Sequence, residues 1–217
     1  MISFTALERE NVEPACIESI AVYVHIPFCR TRCHYCAFYL ETGFSPRVLR
    51  ETLNGIVKEA ERWHELLGFP RIDSLYIGGG TPSVIPPEAM ARFLTSLSSA
   101  LRLPDHSPPR EWTVEVNPES VTPNLVEVLE KAGVDRISLG VQSLRDDELS
   151  VLGRRSDAEC ARSAVEMLTR LWHGRLSIDI IVGIPGQTQH DLEMQIDELA
   201  EFGINHVSCY GLTVEPG

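Results

Sequence analysis

Lysine is almost missing from this 217-residue chain: Lys58 and Lys131 are the only two, and 17 arginines carry the rest of the positive charge. The 19 basic side chains face 31 acidic ones, a formal net charge of −12 at pH 7. Such a surface argues against nucleic acid as a partner, because phosphate-backbone binding needs many cations, and against adhesion to anionic lipid. Long apolar runs are also missing. The strand-like segments are broken by His25, Asp179 or Gly183, well short of the roughly 18 residues that would suggest a membrane span. The first sixteen residues carry Glu8, Glu10 and Glu13 and no apolar stretch. They do not read as a secretory signal, so the expected compartment is the cytoplasm. With 43% hydrophobic and 23% charged residues the chain is globular, not disordered.

The length favours one core, and a chain of this size buries about 70% of its unfolded surface without needing covalent staples. Six cysteines would make three disulfides, yet Cys29, Cys33 and Cys36 fall within eight residues while Cys16, Cys160 and Cys209 are scattered. In a chain with no export signal that clustering reads as metal binding.

Apolar, β-branched runs alternate with helical patterns throughout. The first run, Ile20 to Ile26, leads through the cysteine loop to a helix opened by Ser45-Pro46, with Leu49, Leu53, Ile56, Val57, Ala60, Trp63 and Leu67 on one face and Gly68 at its end. Strands are then expected at Ser74 to Ile77, Trp112 to Val116, Arg136 to Leu139, Leu176 to Val182 and His206 to Leu212. Between them lie the Gly78-Gly79-Gly80-Thr81-Pro82 turn, a helix with Met90, Phe93, Leu94, Leu97 and Leu101, a Pro-rich loop at 104–109, and a helix from Thr122-Pro123 to Gly133. Two helical stretches follow within 145–172, then a Gly183-Ile-Pro-Gly186 turn and a last helix opened by a capping pattern at Thr188 to Asp191. Six strands joined by long crossovers predict a parallel α/β sheet with helices outside, either doubly wound or a partial barrel.

The cysteine loop, His25-Ile-Pro-Phe-Cys29-Arg-Thr-Arg-Cys33-His-Tyr-Cys36, has the spacing C-x3-C-x2-C. Thiolates suit zinc or iron–sulfur clusters. A closed zinc site needs a fourth ligand, and the only neighbour, His34, is squeezed between two cysteines. Three cysteines can instead hold three irons of a 4Fe-4S cluster and leave the fourth iron open. Asp179 and Glu115 each interrupt an apolar strand, where a buried carboxylate without a partner would cost several kcal/mol. Both therefore need partners: a structural ion pair, or a ligand at the strand ends. Gln142 and Tyr210 fall on the same face by this reading. Cys16, Cys160 and Cys209 are expected to be small buried hydrophobes, His64, His106, His173 and His190 to be solvated, and His25 and His206 to be core histidines.

The loop after a first strand resembles that of the radical S-adenosylmethionine (SAM) enzymes. Tyr23-Val-His-Ile-Pro-Phe-Cys29, Gly78-Gly-Gly-Thr-Pro82, Glu115-Val-Asn-Pro118, Gly140-Val-Gln-Ser143, Leu152-Gly-Arg154 and Gly183-Ile-Pro-Gly-Gln187 resemble, in order, the oxygen-independent coproporphyrinogen oxidase-like family. That resemblance implies a partial (β/α)6 barrel over 20–217, preceded by an extension at 1–19. It implies a 4Fe-4S cluster on Cys29, Cys33 and Cys36, with SAM held by Tyr23, Tyr35, Gly79, Gly80, Thr81, Glu115, Gln142, Arg154, Asp179 and Ile181. Gly79 and Gly80 would approach the methionine amino end. Glu115, Gln142, Arg154 and Asp179 would serve the carboxylate, amine and ribose hydroxyls, and Tyr35 and Ile181 would lie near the cluster and adenine. Reductive cleavage of SAM is the implied chemistry, and the residues beyond the cluster and SAM take no catalytic assignment.

Within the family, coproporphyrinogen decarboxylases carry a further cysteine two residues after the third. Phe38 stands there in this chain, which resembles the haem-chaperone group instead, although Ala37 departs from the acidic residue usual in that group. The implied partners are haem or porphyrin, an electron donor and haem-acceptor proteins. The alternatives are oxidative decarboxylation of coproporphyrinogen III and another radical reaction such as methyl transfer. The chain stops at Glu215-Pro216-Gly217, before the family's C-terminal region, and is expected to be a fragment.

Overall fold

The computed structural model describes residues 17–103 and 109–213. The expected N-terminal extension, Cys16, His106 and the final Glu215-Pro216-Gly217 lie mostly or wholly outside them. Strand β1 (Ser19–Ile26) is followed by helix α1 (Pro46–Leu66), β2 (Arg71–Gly79), α2 (Pro87–Ala100), β3 (Glu111–Val116) and α3 (Pro123–Ala132). Then come β4 (Arg136–Gln142), α4 (Asp146–Val151), α5 (Ala158–Leu171), β5 (Arg175–Val182), α6 (Gln189–Glu201) and β6 (Val207–Gly211).

All five strand pairings are parallel, and the spatial order β1-β2-β3-β4-β5-β6 equals the sequence order. A doubly wound sheet would reverse direction partway; this one never does, so it curls into a half-barrel. Successive residues of each strand point to opposite faces. Val24 and Ile26, Ile77, Val114, Val116, Ile137, Leu139, Ile178 and Ile180 form the outer face and pack with Leu49, Leu53, Leu97, Leu129 and Leu168 of the surrounding helices in one continuous core. Tyr23, His25, Tyr76, Glu115, Ser138, Asp179 and Tyr210 take the alternate positions and line the concave face. The sheet is therefore apolar outside and polar inside, and the intruding carboxylates sit half-buried on the polar face.

Helix ends follow the sequence closely. The Ser45 hydroxyl accepts from Val48 N at the start of α1, Thr122 from Leu125 N at the start of α3, and Thr188 forms a reciprocal capping box with Asp191 at the start of α6. Two side chains of α1 exchange expected places. Trp63 is exposed, whereas His64 is buried, with Nε2 2.9 Å from the Pro70 carbonyl and its ring edge-on to Phe69. The left-handed Gly68-Phe69 turn folds back over the last turn of the helix and covers position 64 instead of 63. Cys209 is exposed on β6 and Cys160 half-buried, so neither is the small core residue expected of it; His206 precedes β6 and is exposed. No helix among the described residues is long and apolar enough to cross a membrane.

Candidate cluster and nucleoside site

The three clustered cysteines share the loop between β1 and α1. Cys29 is buried; Cys33 and Cys36 are half-buried and joined by a turn, Cys36 N donating to Cys33 O at 3.2 Å. Cys29 N donates to Glu41 O and Glu41 N to Pro27 O, closing the loop at its base. Arg32 reaches across it to the carbonyls of Cys36 and Leu40. Burial pushes the Cys29 thiol up; the Thr81 hydroxyl, 3.2 Å from its sulfur, opposes this, while the nearby Cys36 and Cys33 sulfurs reinforce it. Three sulfurs close enough to repel one another as thiolates are a donor set that soft iron would stabilise. No three His, Cys, Asp or Glu side chains among the described residues converge on a single ion position, and a cluster does not require that, because each thiolate takes its own iron. His34 is no fourth ligand: its Nδ1 lies 3.0 Å from Val151 O and its ring packs on Gly153.

The glycine turn ends β2 directly beside this loop. A Cβ on Gly80 would stand 2.6 Å from the Phe28 carbonyl oxygen, which is why the turn can lie flat on the cysteine loop. Gly80 N donates to Ile26 O, Thr81 N to Phe28 O, and Gly79 N to Glu115 Oε2 at 3.1 Å. These N–H groups are thus committed within the protein. The second Glu115 oxygen accepts from Tyr76 OH at 2.7 Å. Burial, with Asp179 nearby, nevertheless holds the Glu115 carboxyl above its ordinary range.

Asp179 is less well served. Its Oδ2 accepts from Ser138 at 2.7 Å, and Oδ1 is buried with no partner. Burial raises its carboxyl too. A buried bare acceptor on a concave face is what a hydroxyl-bearing ligand would satisfy. Gln142 ends β4 at φ +69 after a register shift, and its amide crowds over Gly140 together with Asn117. Arg154 lies nearby with Nη2 on Gly140 O at 2.9 Å, Nη1 3.8 Å from Cys33 Sγ, and Nε buried without a partner. Tyr35 and Ile181 meet in a small apolar cluster with Leu152, Ile184 and Leu212. A cavity of about 340 Å³ opens beside it, lined by His34, Tyr35, Cys36, Leu152 and Pro185 among others. Tyr23, more than half exposed, lies farther down the concave face with its hydroxyl 3.2 Å from His25 Nδ1.

The fold therefore gathers the residues singled out in the sequence at or near one end of the half-barrel. Asn117 was not among them. Its Nδ2 donates to Thr81 Oγ1 at 3.2 Å, linking the β3 end to the hydroxyl that faces Cys29. The Glu-Val-Asn-Pro motif contained it, but the carboxylate drew attention because only its charge is anomalous in a strand.

A parallel half-barrel with three thiols on the loop after its first strand is the arrangement that the sequence resemblance implies for an iron–sulfur protein of the SAM-binding type. The radical SAM superfamily model matches residues 23–199, so the chain belongs to the radical SAM superfamily. Over 199 residues it is 39% identical to the bovine (Bos taurus) radical S-adenosyl methionine domain-containing protein 1, mitochondrial, covering 91% of this chain and 44% of that one. It is 32% identical to the haem chaperone HemW of Bacillus subtilis, covering 90% and 51%, and 34% identical to that of Mycobacterium tuberculosis, covering 97% and 54%. The chain thus spans about half the length of the curated relatives it matches. In fold it is similar to the coproporphyrinogen III oxidase HemN of Escherichia coli, with a TM-score of 0.78 at 22% identity over 92% of this chain and 45% of that one. Superfamily membership implies a 4Fe-4S cluster and SAM.

Proposed function

We propose that this chain is the cofactor-binding part of a haem chaperone of the radical SAM superfamily. Its cluster would be held by Cys29, Cys33 and Cys36. The observation that carries the reading is the meeting of these thiols with Arg154, the glycine turn, Glu115, Gln142 and the half-satisfied Asp179 at one end of the sheet.

When bound, the cluster supplies the electron and the open iron of SAM chemistry. The protein's share is orientation. With the N–H groups of Gly79, Gly80 and Thr81 engaged internally, the turn offers carbonyl oxygens, which suit the methionine ammonium; Glu115, pinned by Tyr76 and Gly79, suits the same group. Arg154 presents a planar fork to the carboxylate. Asp179 Oδ1 and the Gln142 amide suit ribose hydroxyls, and Tyr35 with Ile181 forms an apolar wall for adenine. Tyr23 would border the ligand from the β1 side. Thr81, also assigned to the SAM site, has its hydroxyl 3.2 Å from the Cys29 sulfur and would support the cluster loop there.

Haem as cargo rests on the relatives named as haem chaperones; haem-acceptor proteins would receive that cargo, and an electron donor would reduce the cluster. Phe38, exposed beside the cluster loop, stands where decarboxylases of the family carry a cysteine, which disfavours coproporphyrinogen turnover. The reducing cytoplasm suits free thiols. The bovine relative is mitochondrial, so cell fractionation decides between cytoplasm and mitochondrion where both exist.

The test is anaerobic iron and sulfide reconstitution of the full-length protein, followed by binding and turnover assays with SAM, haem and coproporphyrinogen III. Cluster absorption, SAM binding and haem binding without decarboxylation are expected. Decarboxylation of coproporphyrinogen would overturn the chaperone reading, and failure to assemble a cluster with all three cysteines intact would overturn the site.

A further inference from the structure

Beneath the nucleoside end of the site lies a buried polar network that none of the roles above uses. Ser143, Glu148 and Gln195 are 0%, 3% and 5% exposed, and they come from the β4 end, α4 and α6. Glu148 Oε2 is the meeting point: the Ser143 hydroxyl lies 2.6 Å away, Gln187 Nε2 3.0 Å and Gln195 Nε2 3.1 Å. Glu148 Oε1 has no hydrogen-bond partner and lies 3.7 Å from Arg145 Nε.

Each donor holds a different stretch of backbone. Gln195 Oε1 accepts from Leu144 N at 2.6 Å, and Ser143 Oγ accepts from Arg145 N at 3.0 Å, so the segment just after Gln142 is fastened to α6 and α4. That fastening matters because the register shift and positive φ at Gln142 take the chain out of the regular sheet ladder there. Gln187 folds its own turn shut, with Oε1 accepting from Gly183 N at 2.8 Å and its backbone N donating to Ile184 O at 2.9 Å. Its Nε2 then joins this turn, which follows Ile181, to Glu148 at 3.0 Å and also donates to the Ile181 carbonyl at 3.5 Å. A leucine at 148 would cost less to bury than a carboxylate with one bare oxygen. What the leucine lacks is a single acceptor on which donors from three segments can converge.

We propose that Glu148 is a positioning residue that, through Gln187, Gln195 and Ser143, sets the separation of the two backbone segments walling the nucleoside half of the SAM site, those ending in Gln142 and beginning at Ile181. The inference rests on the assignment of Gln142 and Ile181 to that site. It predicts an effect concentrated at the nucleoside end, since the side-chain hydrogen bonds of Glu148 go to Ser143, Gln187 and Gln195 and none goes to the cysteines, the glycine turn or Arg154; only its backbone carbonyl, accepting from Leu152 N, leads toward Arg154.

The experiment uses the full-length protein with its cluster reconstituted anaerobically and compares wild type with Glu148→Leu, Glu148→Gln and Gln187→Met. SAM binding is read by equilibrium dialysis, methionine binding by the change it causes in the electron paramagnetic resonance spectrum of the reduced cluster, and iron per chain by analysis. Glu148→Leu and Gln187→Met should raise the SAM dissociation constant at least tenfold, with iron content unchanged and methionine affinity within twofold of wild type. Glu148→Gln keeps an acceptor for the three donors and should restore SAM affinity to within about threefold. SAM affinity unchanged in Gln187→Met and Glu148→Leu, or SAM and methionine weakened alike, would overturn the proposal. Half-buried Gln187 gives a readable variant even where leucine at 148 prevents folding. A wild-type protein that assembles its cluster and binds no SAM would sink the site assignment itself, a different result.

Discussion

The guanidinium of Arg154 bridges two parts of the site: Nη1 lies 3.8 Å from the Cys33 sulfur while Nη2 donates to the Gly140 carbonyl at 2.9 Å. It therefore ties the cysteine loop after β1 to the end of β4, and its partnerless Nε leaves part of the fork free for a ligand. Burial disfavours its charge, but the nearby Tyr35, Cys33 and Glu119 outweigh this and hold the guanidinium firmly protonated.

Arg154→Lys should keep the charge and lose the fork, because an ammonium cannot face Gly140 O and a carboxylate in one plane. SAM affinity is expected to fall at least tenfold with iron content per chain unchanged. Isothermal titration of the reconstituted protein measures it, and equal affinity would remove Arg154 from the carboxylate role.

Replacing Cys29, Cys33 or Cys36 singly by alanine should abolish the visible absorption of the reconstituted cluster. Alanine at Cys160 or Cys209 should leave it within about 10% of wild type, because a cluster anchored by three thiolates cannot replace one from a distant strand or helix. Loss of absorption in the Cys209 variant would contradict the ligand set.

Thr81→Val removes the hydroxyl that faces Cys29 and leaves Asn117 Nδ2 without its acceptor there. A cost of about 0.5–1.5 kcal/mol is expected for the lost bond, because the half-buried Asn117 amide keeps Glu119 Oε1 at 3.4 Å. The variant should unfold at lower denaturant and release iron faster to a chelator, both followed by absorption. An unchanged release rate would mean that the hydroxyl does not support the cluster loop.

Asp179 titrates above its ordinary value, chiefly because burial disfavours its charge. The folded chain then holds more protons than the unfolded one across that window, so the group's contribution to stability is present below the unfolded pKa and is lost as pH rises through the folded pKa. Asp179→Asn should flatten the decline of stability as pH rises above the ordinary carboxylate range, and raise Tm at pH 7. The same variant should weaken SAM binding. Denaturant melts across pH, run without ligand, provide the check; an unchanged slope would mean that the Ser138 and Ser208 hydroxyls, with Arg136 and His206 nearby, offset the burial of the carboxylate.

By itself the sequence determined the elements and the clustering of the three cysteines. Ser45, Thr122 and Thr188 marked helix starts because capping is local, the strands announced themselves by β-branched runs, and C-x3-C-x2-C pointed to soft-metal chemistry because three thiols crowd one short loop. Tertiary structure decided what depends on segments far apart in the chain. It turned His64 inward and Trp63 outward, left Cys209 exposed on β6, brought Thr81 and Asn117 to Cys29, and buried Glu148 among donors from three elements. It also made one face of a parallel sheet polar, because an unclosed barrel leaves its concave side open to ligand and solvent while the helices cover only the outside. Periodicity records which residues share a face; only the curl of the sheet decides what that face meets.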